Sequence, residues 1–152
     1  MESKPHKLEA YQFCQSFVSQ RLLNINQHIF QIQEALGSET KSSAGDKHET
    51  GRAQLQLERE RLGEQLAEAQ KMQSVLTKIS PEKKTEKVGI GSFVITNQGG
   101  YYIAISAGMY KATSNTIFCI SIATPLGQLL AEKNAGDQLI FNNQLIEIKQ
   151  VS

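Results

Sequence analysis

Two carboxylates three residues apart stand out in this sequence for the chemistry that they could perform. Asp46 and Glu49 lie in the polar stretch of residues 41–52, which contains two glycines and several small side chains. At this spacing two helical residues share one face, with Cβ atoms about 5–6 Å apart. Carboxylate oxygens suit Mg²⁺, which commonly takes only one or two protein carboxylates and fills its shell from water and phosphate. The pair therefore predicts half of a cation site, which another molecule would complete.

The same spacing has a structural explanation. Asp-x-x-Glu at a helix start is typical of a capping box, with Asp46 as the cap and Glu49 at the third helical position. The two interpretations are compatible, because a capping carboxylate keeps spare oxygens. Lys41, Lys47 and Arg52 surround the acids. They either solvate the turn or contact phosphate in a nucleic-acid site.

The segments on either side of this stretch have the periodicity of a helical hairpin. The first alternates apolar spacings of three and four with only Gln15 out of pattern, and the second is interrupted at Arg59 and Gln73. Two such stripes, joined by a short polar break, bury each other by folding back. We predict an antiparallel coiled-coil hairpin over residues 1–80 with its tip near residues 42–51. The stripe residues are Leu8, Tyr11, Val18, Leu22, Ile25, Ile29, Ile32, Leu36, Leu55, Leu62, Leu66, Ala69 and Leu76.

A second domain follows a change in composition at Pro81. Residues 81–87 form a charged linker, and residues 88–152 contain short β-branched runs separated by turn residues. Thr124 and Pro125 predict the cap and first residue of a short helix. The pattern indicates a small, mostly antiparallel sheet with one helix packed on it. The predicted strands are 92–96, 101–106, 116–122, 138–141 and 145–151, and the helix is 125–132.

Charge and motif content argue against several classes of function. Sixteen basic residues nearly cancel fifteen acidic ones, so no global field favours nucleic acid or a membrane. No apolar run approaches the ~20 residues of a membrane span, and the N-terminus lacks a signal-peptide core. The histidines lack zinc-ligand spacing, and Cys14 and Cys119 fit reduced core thiols. We expect a cytoplasmic monomer that has no catalytic site of its own.

Two motifs and the order of elements resemble the Gre transcript-cleavage factors of bacterial RNA polymerase. Residues 45–49, GDKHE, resemble that family's Gly-Asp-x-x-Glu tip. Residues 120–130, beginning ISIATPL, and residues 136–139, GDQL, resemble its Ile-Ser-x-x-Ser-Pro-Leu and Gly-Asp-x-Val run. Val88-Gly89 matches the start of the family's C-terminal domain. The resemblance covers nearly the whole chain, and its C-terminal motif is the more specific part.

The resemblance implies a fold, a partner and a role for the tip. The fold would be α+β, a coiled-coil finger followed by an FKBP-like antiparallel sheet with one short helix. Thr124, Pro125 and Leu126 would dock at the rim of the polymerase secondary channel. Asp46 and Glu49 would help to hold a Mg²⁺ ion shared with the polymerase, which then hydrolyses backtracked RNA near its 3′ end. The chain would be a transcription elongation factor, not an enzyme, without a stable cofactor of its own.

Departures from the family pattern leave alternatives open. Gly51-Arg52 replaces an Ala-Glu pair, Thr50 replaces asparagine, and Ala123 stands where some members carry an acid. Arg52 beside the acids would compete with a cation for them. One alternative is therefore a secondary-channel regulator that modulates or inhibits the polymerase without cleavage. Another is an FKBP-like prolyl isomerase or chaperone with a coiled-coil handle, against which the scattered aromatics and the lack of tryptophan argue.

Overall fold

The first half of the chain folds into two long helices. Helix α1 spans Ser3–Lys41 and helix α2 spans Asp46–Thr77. The structure, a computed structural model, describes the backbone of residues 3–41, 46–112 and 115–152, and the side chains of residues 6–38, 50–112 and 115–152. Within these ranges, neither long helix has the apolar stretch that crossing a membrane requires.

The two helices run antiparallel and bury a common apolar seam. Near one end Arg52 Nη1 donates to Leu36 O, and further along Arg21 Nη1 contacts Met72 Sδ. Residues late in α2 contact residues early in α1, so the two helices must run in opposite directions. The predicted hairpin is confirmed. The seam consists of Ile25, Ile29, Ile32, Leu62 and Ala69, flanked by Leu22, Leu36, Leu55 and Leu66.

The buried face of α1 changes near residue 17. From Val18 onward the buried positions follow the predicted stripe, whereas in the first turns Ala10 and Cys14 are buried instead. Leu8, predicted in the stripe, is 47% exposed. The prediction for Leu8 was wrong because this end of α1 turns its apolar face to the second half of the chain and not only to α2.

Contacts divide the chain into two compact units, one of which joins both ends of the sequence. One unit is Val18–Met72, and the other is Met1–Phe17 together with Gln73–Ser152. The first turns of α1 thus belong to the same unit as the second half of the chain. The division at residues 80 and 87 that the composition indicates stays a prediction.

The second half is a six-stranded mixed sheet with one short helix. Its elements are β1 Phe93–Thr96, β2 Gly99–Ile103, β3 Gly108–Lys111, β4 Thr116–Ile120, α3 Pro125–Leu130, β5 Gln138–Phe141 and β6 Gln144–Val151. The strand order is β3-β4-β2-β1-β6-β5, and β2–β4 is the parallel pair among antiparallel neighbours. The α+β class is confirmed. The parallel pair arises because β3 takes the edge position and leaves β4 beside β2.

Both faces of this sheet are covered. Leu130 of α3 packs on one face with Val94 and Tyr101. On the opposite face the ring of Phe13 in α1 stacks on Tyr110 of β3, with ring centroids 4.7 Å apart. The central strand β2 is consequently buried along almost its whole length, as expected for a strand with two covered faces.

Candidate functional site

Helix α2 begins at Asp46, which places both tip acids in its first turn. The helix continues through Gly51, so this glycine does not interrupt it. Asp46 and Glu49 are therefore three residues apart within one helix. The side chains of Lys41, Asp46, Lys47 and Glu49 lie outside the described residues. Their roles as cap, metal ligands and phosphate contacts stay predictions.

Arg52 joins the two helices next to the tip. It is half-buried, and its Nη1 donates to Leu36 O at 3.3 Å. Leu36 also packs against the seam, so the hydrogen bond fixes the end of the apolar contact. A guanidinium near the last turns of α1 is favoured there by the helix dipole. Arg52 also follows Glu49, one of the two predicted ligands, by three residues in the sequence.

The predicted docking turn is a capped helix start. Thr124 Oγ1 accepts a hydrogen bond from Gly127 N at 3.1 Å and donates one to Ser121 O at 2.7 Å. Pro125 occupies the first turn of α3 and is exposed, which confirms the predicted cap and proline. The fold uses the Thr124 hydroxyl in both directions, so this residue holds the turn, and the docking role of Thr124, Pro125 and Leu126 stays a prediction.

Close packing of this turn depends on Gly127, a residue that no sequence motif singles out. A Cβ atom at this position would lie 2.3 Å from Ser121 O and 2.8 Å from Ile122 Cα. Its neighbour Leu126 is half-buried against the core on the α3 side of the sheet. The sequence does contain a signal for this residue, a glycine soon after the capping Thr-Pro pair. Most other residues would destabilise a helix less than glycine at this position.

The outer surface of the docking turn is uncharged. Residues 123–130 contain no acidic or basic side chain, and Leu129 is 43% exposed. Ala123 is also exposed and accepts a hydrogen bond from Gln128 Nε2 through its carbonyl at 3.4 Å. Contact with a partner here would rest on apolar packing around Pro125 and Leu129, without an ion pair from this turn.

The two cysteines, which lie far apart in the sequence, meet between α1 and the sheet. Cys14 and Cys119 are both free and buried, and their thiols are hydrogen-bonded. That bond and burial raise the pKa of Cys119, whereas the bond from Cys119 lowers the pKa of Cys14. Burial also raises the pKa of the neighbouring phenols of Tyr102 and Tyr110. Both phenol oxygens are buried without a hydrogen-bond partner among the described residues.

A cavity of about 250 Å³ opens on the face of the sheet that α1 covers. Phe93, Ile95 and Ile117 give it an apolar lining, and Lys149 adds a positive charge. His6 lies over Phe93, with ring centroids 6.3 Å apart, and its Nδ1 is buried without a described partner. The lining residues include no carboxylate or thiol. Its other lining residues are Thr96, Gly99, Gly100 and Asn115.

A metal site built wholly from the described side chains is not present. Over those ranges, His, Cys, Asp and Glu residues form no group of three or more that could hold an ion. The tip acids fall outside this search. As a set of two carboxylates they match the share of a Mg²⁺ shell that proteins commonly supply, with the remaining ligands coming from elsewhere.

Comparisons with known proteins add one similarity. No protein-family model matches the sequence, and no curated protein matches it. Among solved structures, the chain is similar to the transcription factor Gfh1, at 18% identity over 88% of this chain and 90% of that chain, with a TM-score of 0.34. A similarity at this level assigns no role to any residue of this chain.

Proposed function

We propose that this chain is an accessory factor of bacterial RNA polymerase that brings its hairpin tip into the secondary channel and stimulates cleavage of backtracked RNA. The observation that carries the proposal is the start of α2 at Asp46, which puts Asp46 and Glu49 in the first turn of the return helix. The motif resemblance at residues 45–49 and 120–139 supports it. Catalysis would belong to the polymerase, so the chain is not itself an enzyme.

At the tip, the two carboxylates would serve as donated ligands. Asp46 is assigned as the primary ligand of a Mg²⁺ ion shared with the polymerase, and Glu49 as a second ligand or as the group that orients the attacking water. The ion, when bound, would stabilise the attacking and leaving oxygens of an in-line phosphoryl displacement. Lys41 and Lys47 would contact phosphates near the RNA 3′ end.

The α3 turn is the surface that we assign to docking on the polymerase. Thr124 holds the turn through its two hydrogen bonds, and Leu126 anchors it to the core. Pro125 and Leu129 are exposed and uncharged. An apolar contact surface on a rigid turn suits a protein partner, because interface centres are depleted of charge.

A regulator that occupies the channel without cleavage is the second candidate. The observation that favours it is Arg52, which is held by Leu36 O three residues after Glu49. A guanidinium fixed beside two carboxylates competes electrostatically with a cation for them. In both candidates the partner is the polymerase. They differ in whether the two tip carboxylates hold a Mg²⁺ ion.

Transcript cleavage in stalled, backtracked complexes tests the proposal. The wild-type chain should shorten the RNA in a Mg²⁺-dependent manner. Asp46→Asn and Glu49→Gln should each slow this cleavage roughly tenfold or more, the scale seen when a metal site is impaired. Glu58→Gln is the matched control, because Glu58 is an exposed α2 carboxylate two turns beyond the tip, about 3.6 residues per turn. Polymerase binding should be equal for all four proteins.

Each other outcome has a definite meaning. Cleavage that survives both tip substitutions would refute the tip mechanism, and absence of polymerase binding would refute both candidates. Binding of the wild type without cleavage would favour the regulator. In that case Arg52→Gln should release cleavage activity if the guanidinium is what keeps the metal away.

A further inference from the structure

The cavity beneath the start of α1 is built around a strand position that has no side chain. Gly100 of β2 lies opposite Ile95 of β1 and Ile117 of β4 in the strand register. A Cβ atom at Gly100 would lie 2.7 Å from Ile117 Cδ1 and 3.1 Å from Phe93 Cζ, so a larger residue would have to displace both of these lining side chains. A glycine inside a strand often marks a place that a ligand approaches closely.

An irregularity in β6 brings a positive charge to the cavity. The register of β1 against β6 shifts between Ile95 and Thr96, and Lys149 is the residue of β6 that this shift leaves without a register partner. A bulge of this kind redirects the side chains of its strand. Lys149 lines the cavity, and the described lining contains no carboxylate to neutralise it. The charge is therefore available to an anion that enters from solvent.

His6 adds a polar atom and a ring to the same lining. Its Nδ1 is buried and has no hydrogen-bond partner among the described residues. A buried polar atom without a partner destabilises the fold, and a ligand oxygen would relieve this cost. The imidazole lies over Phe93 at 18° from parallel, so aromatic groups border the cavity. Aromatic side chains favour contact with another ring, either offset-stacked or edge to face.

The volume of the cavity sets the size of the ligand. It measures about 250 Å³. An apolar cavity of about 150 Å³ in another protein holds one benzene molecule. The present cavity therefore accommodates one ring together with a short side chain of roughly three further heavy atoms.

We propose that this cavity is a binding site for a small aromatic carboxylate, a single ring that carries a short acidic side chain. The ring packs against Phe93, Ile95 and Ile117, and the carboxylate pairs with the Lys149 ammonium group. A carboxylate oxygen also accepts a hydrogen bond from His6 when Nδ1 carries the proton. The site uses neither the tip acids nor the α3 turn, so it is independent of the proposed role at the polymerase.

Occupancy of this site would tie two parts of one compact unit together. His6 belongs to the first turns of α1, whereas the other described lining residues lie between residues 93 and 149. Both parts belong to the unit formed by residues 1–17 and 73–152. A ligand that binds only the folded unit stabilises it by mass action, so the Tm should rise with ligand concentration.

Titration of the full-length chain with phenylacetate, followed by NMR of the ¹⁵N-labelled protein, tests the proposal. A ligand of this size should bind with a Kd of about 1 mM. The chemical-shift changes should be concentrated at the lining residues of β1, β2 and β6 and at His6. Phenylacetamide has the same ring without the charge and should bind roughly threefold more weakly, the scale of an exposed ion pair.

Three variants separate the charge from the cavity. Lys149→Gln removes an exposed charge and should weaken phenylacetate roughly threefold without affecting phenylacetamide, so that the two compounds bind equally. Lys71→Gln is the matched control, because Lys71 is an exposed lysine of α2 outside the lining, and it should change neither affinity. Ile95→Phe enlarges a half-buried side chain opposite Gly100 and should abolish binding of both compounds.

Several results would overturn the proposal. One is the absence of any binding to the wild type at about twenty times the expected Kd. Equal affinity of the wild type for the two compounds would show that the site does not select an anion. Equal losses in Lys71→Gln and Lys149→Gln would indicate unspecific attraction to lysines, and unchanged binding to a folded Ile95→Phe protein would put the ligand elsewhere. If Ile95→Phe does not fold, the Lys149→Gln comparison decides alone.

Discussion

Arg52 illustrates how one side chain near the tip serves the fold and bears on function. Its hydrogen bond to Leu36 O joins the helices, and it follows Glu49 by three residues in the sequence. We expect Arg52→Ala to lower the free energy of unfolding by about 1 kcal/mol, the usual net contribution of such a bond in a half-buried position. Urea unfolding followed by circular dichroism measures this.

Arg52→Lys is the informative control for this position. Lysine keeps the charge but cannot reproduce the planar fork of the guanidinium. If the hydrogen bond matters, the Arg52→Lys protein should be destabilised nearly as much as the alanine variant. If both variants were as stable as the wild type, the hydrogen bond from Arg52 to Leu36 O would contribute nothing to the free energy of unfolding.

Lys7 is a second residue whose position alters its chemistry. It is 3% exposed and donates to Lys83 O, and burial, with Lys84 nearby, lowers its pKa below 10.5. Between that lowered pKa and 10.5 the unfolded chain binds more protons than the folded one. The free energy of unfolding should therefore rise with pH through this window.

Lys7→Met removes this pH dependence and supplies the comparison. From neutral pH towards 10.5, the wild type should gain stability relative to the variant, as measured by urea unfolding at a series of pH values. Tyr102 and Tyr110, whose pKa values burial raises, affect both proteins alike and cancel in the difference. A difference that stays constant with pH would contradict a lowered pKa for Lys7.

At the scale of elements, the start of α3 depends on a residue without a side chain. Gly127→Ala would place a Cβ atom against Ser121 O and should cost about 2 kcal/mol or more, as overpacking does. Gly37→Ala is the matched control, because nothing lies within 4 Å of its Cβ position in α1. That change should stabilise the protein by up to about 1 kcal/mol through helix propensity. Thermal melts that shift in the same direction for both would refute the packing argument.

Elements with a regular period could be predicted from the sequence, and those set by tertiary contacts could not. The seam of α1 repeats every three or four residues, so its helix was visible from residue 18 onward. Strand β3 was missed because it is an edge strand, mostly exposed, and Met109 at its centre breaks any alternation. Leu8 was wrongly placed in the apolar stripe because the surface that α1 covers changes along the helix. The three-four spacing of apolar residues does not show that change.

The candidate site divides in the same way. Asp46, Glu49, Thr124 and Pro125 were visible because caps and tips have local signatures. The meeting of Cys14 with Cys119 was not, since it depends on the pairing of α1 with a strand that lies far along the chain. Gly127 was missed for a related reason, because a close approach of Ser121 O has no marker in its immediate neighbours.

For the whole molecule, the contacts of α1 with the sheet predict that residues 88–152 do not fold well alone. Without residues 1–17, the buried side chains of Phe93, Tyr102 and Cys119 would face water. Each large side chain so exposed costs about 2 kcal/mol. We expect the fragment to bind a hydrophobic dye and to melt with low cooperativity, and a peptide of residues 1–17 to reverse both effects.

A shortened hairpin is the control for this prediction. Replacing residues 29–62 by a short Gly-Ser turn removes part of the other compact unit and leaves residues 1–17 in place. The sheet in this protein should keep wild-type hydrogen-exchange protection. A stable, cooperative fragment of residues 88–152 would instead support the domain boundary that the composition indicates.

The antiparallel seam has a consequence for how this protein can change in length. An insertion in α1 between Val18 and Leu36 shifts every later apolar residue of that helix relative to the seam residues of α2. An insertion of equal length in α2, between Leu55 and Ala69, is needed to compensate. Only additions of about seven residues on both sides restore the pattern, and each lengthens the hairpin by about 10 Å. The length of the hairpin can therefore change only in steps of about 10 Å. Relatives of this chain should differ in hairpin length by whole steps of this kind, made in both helices.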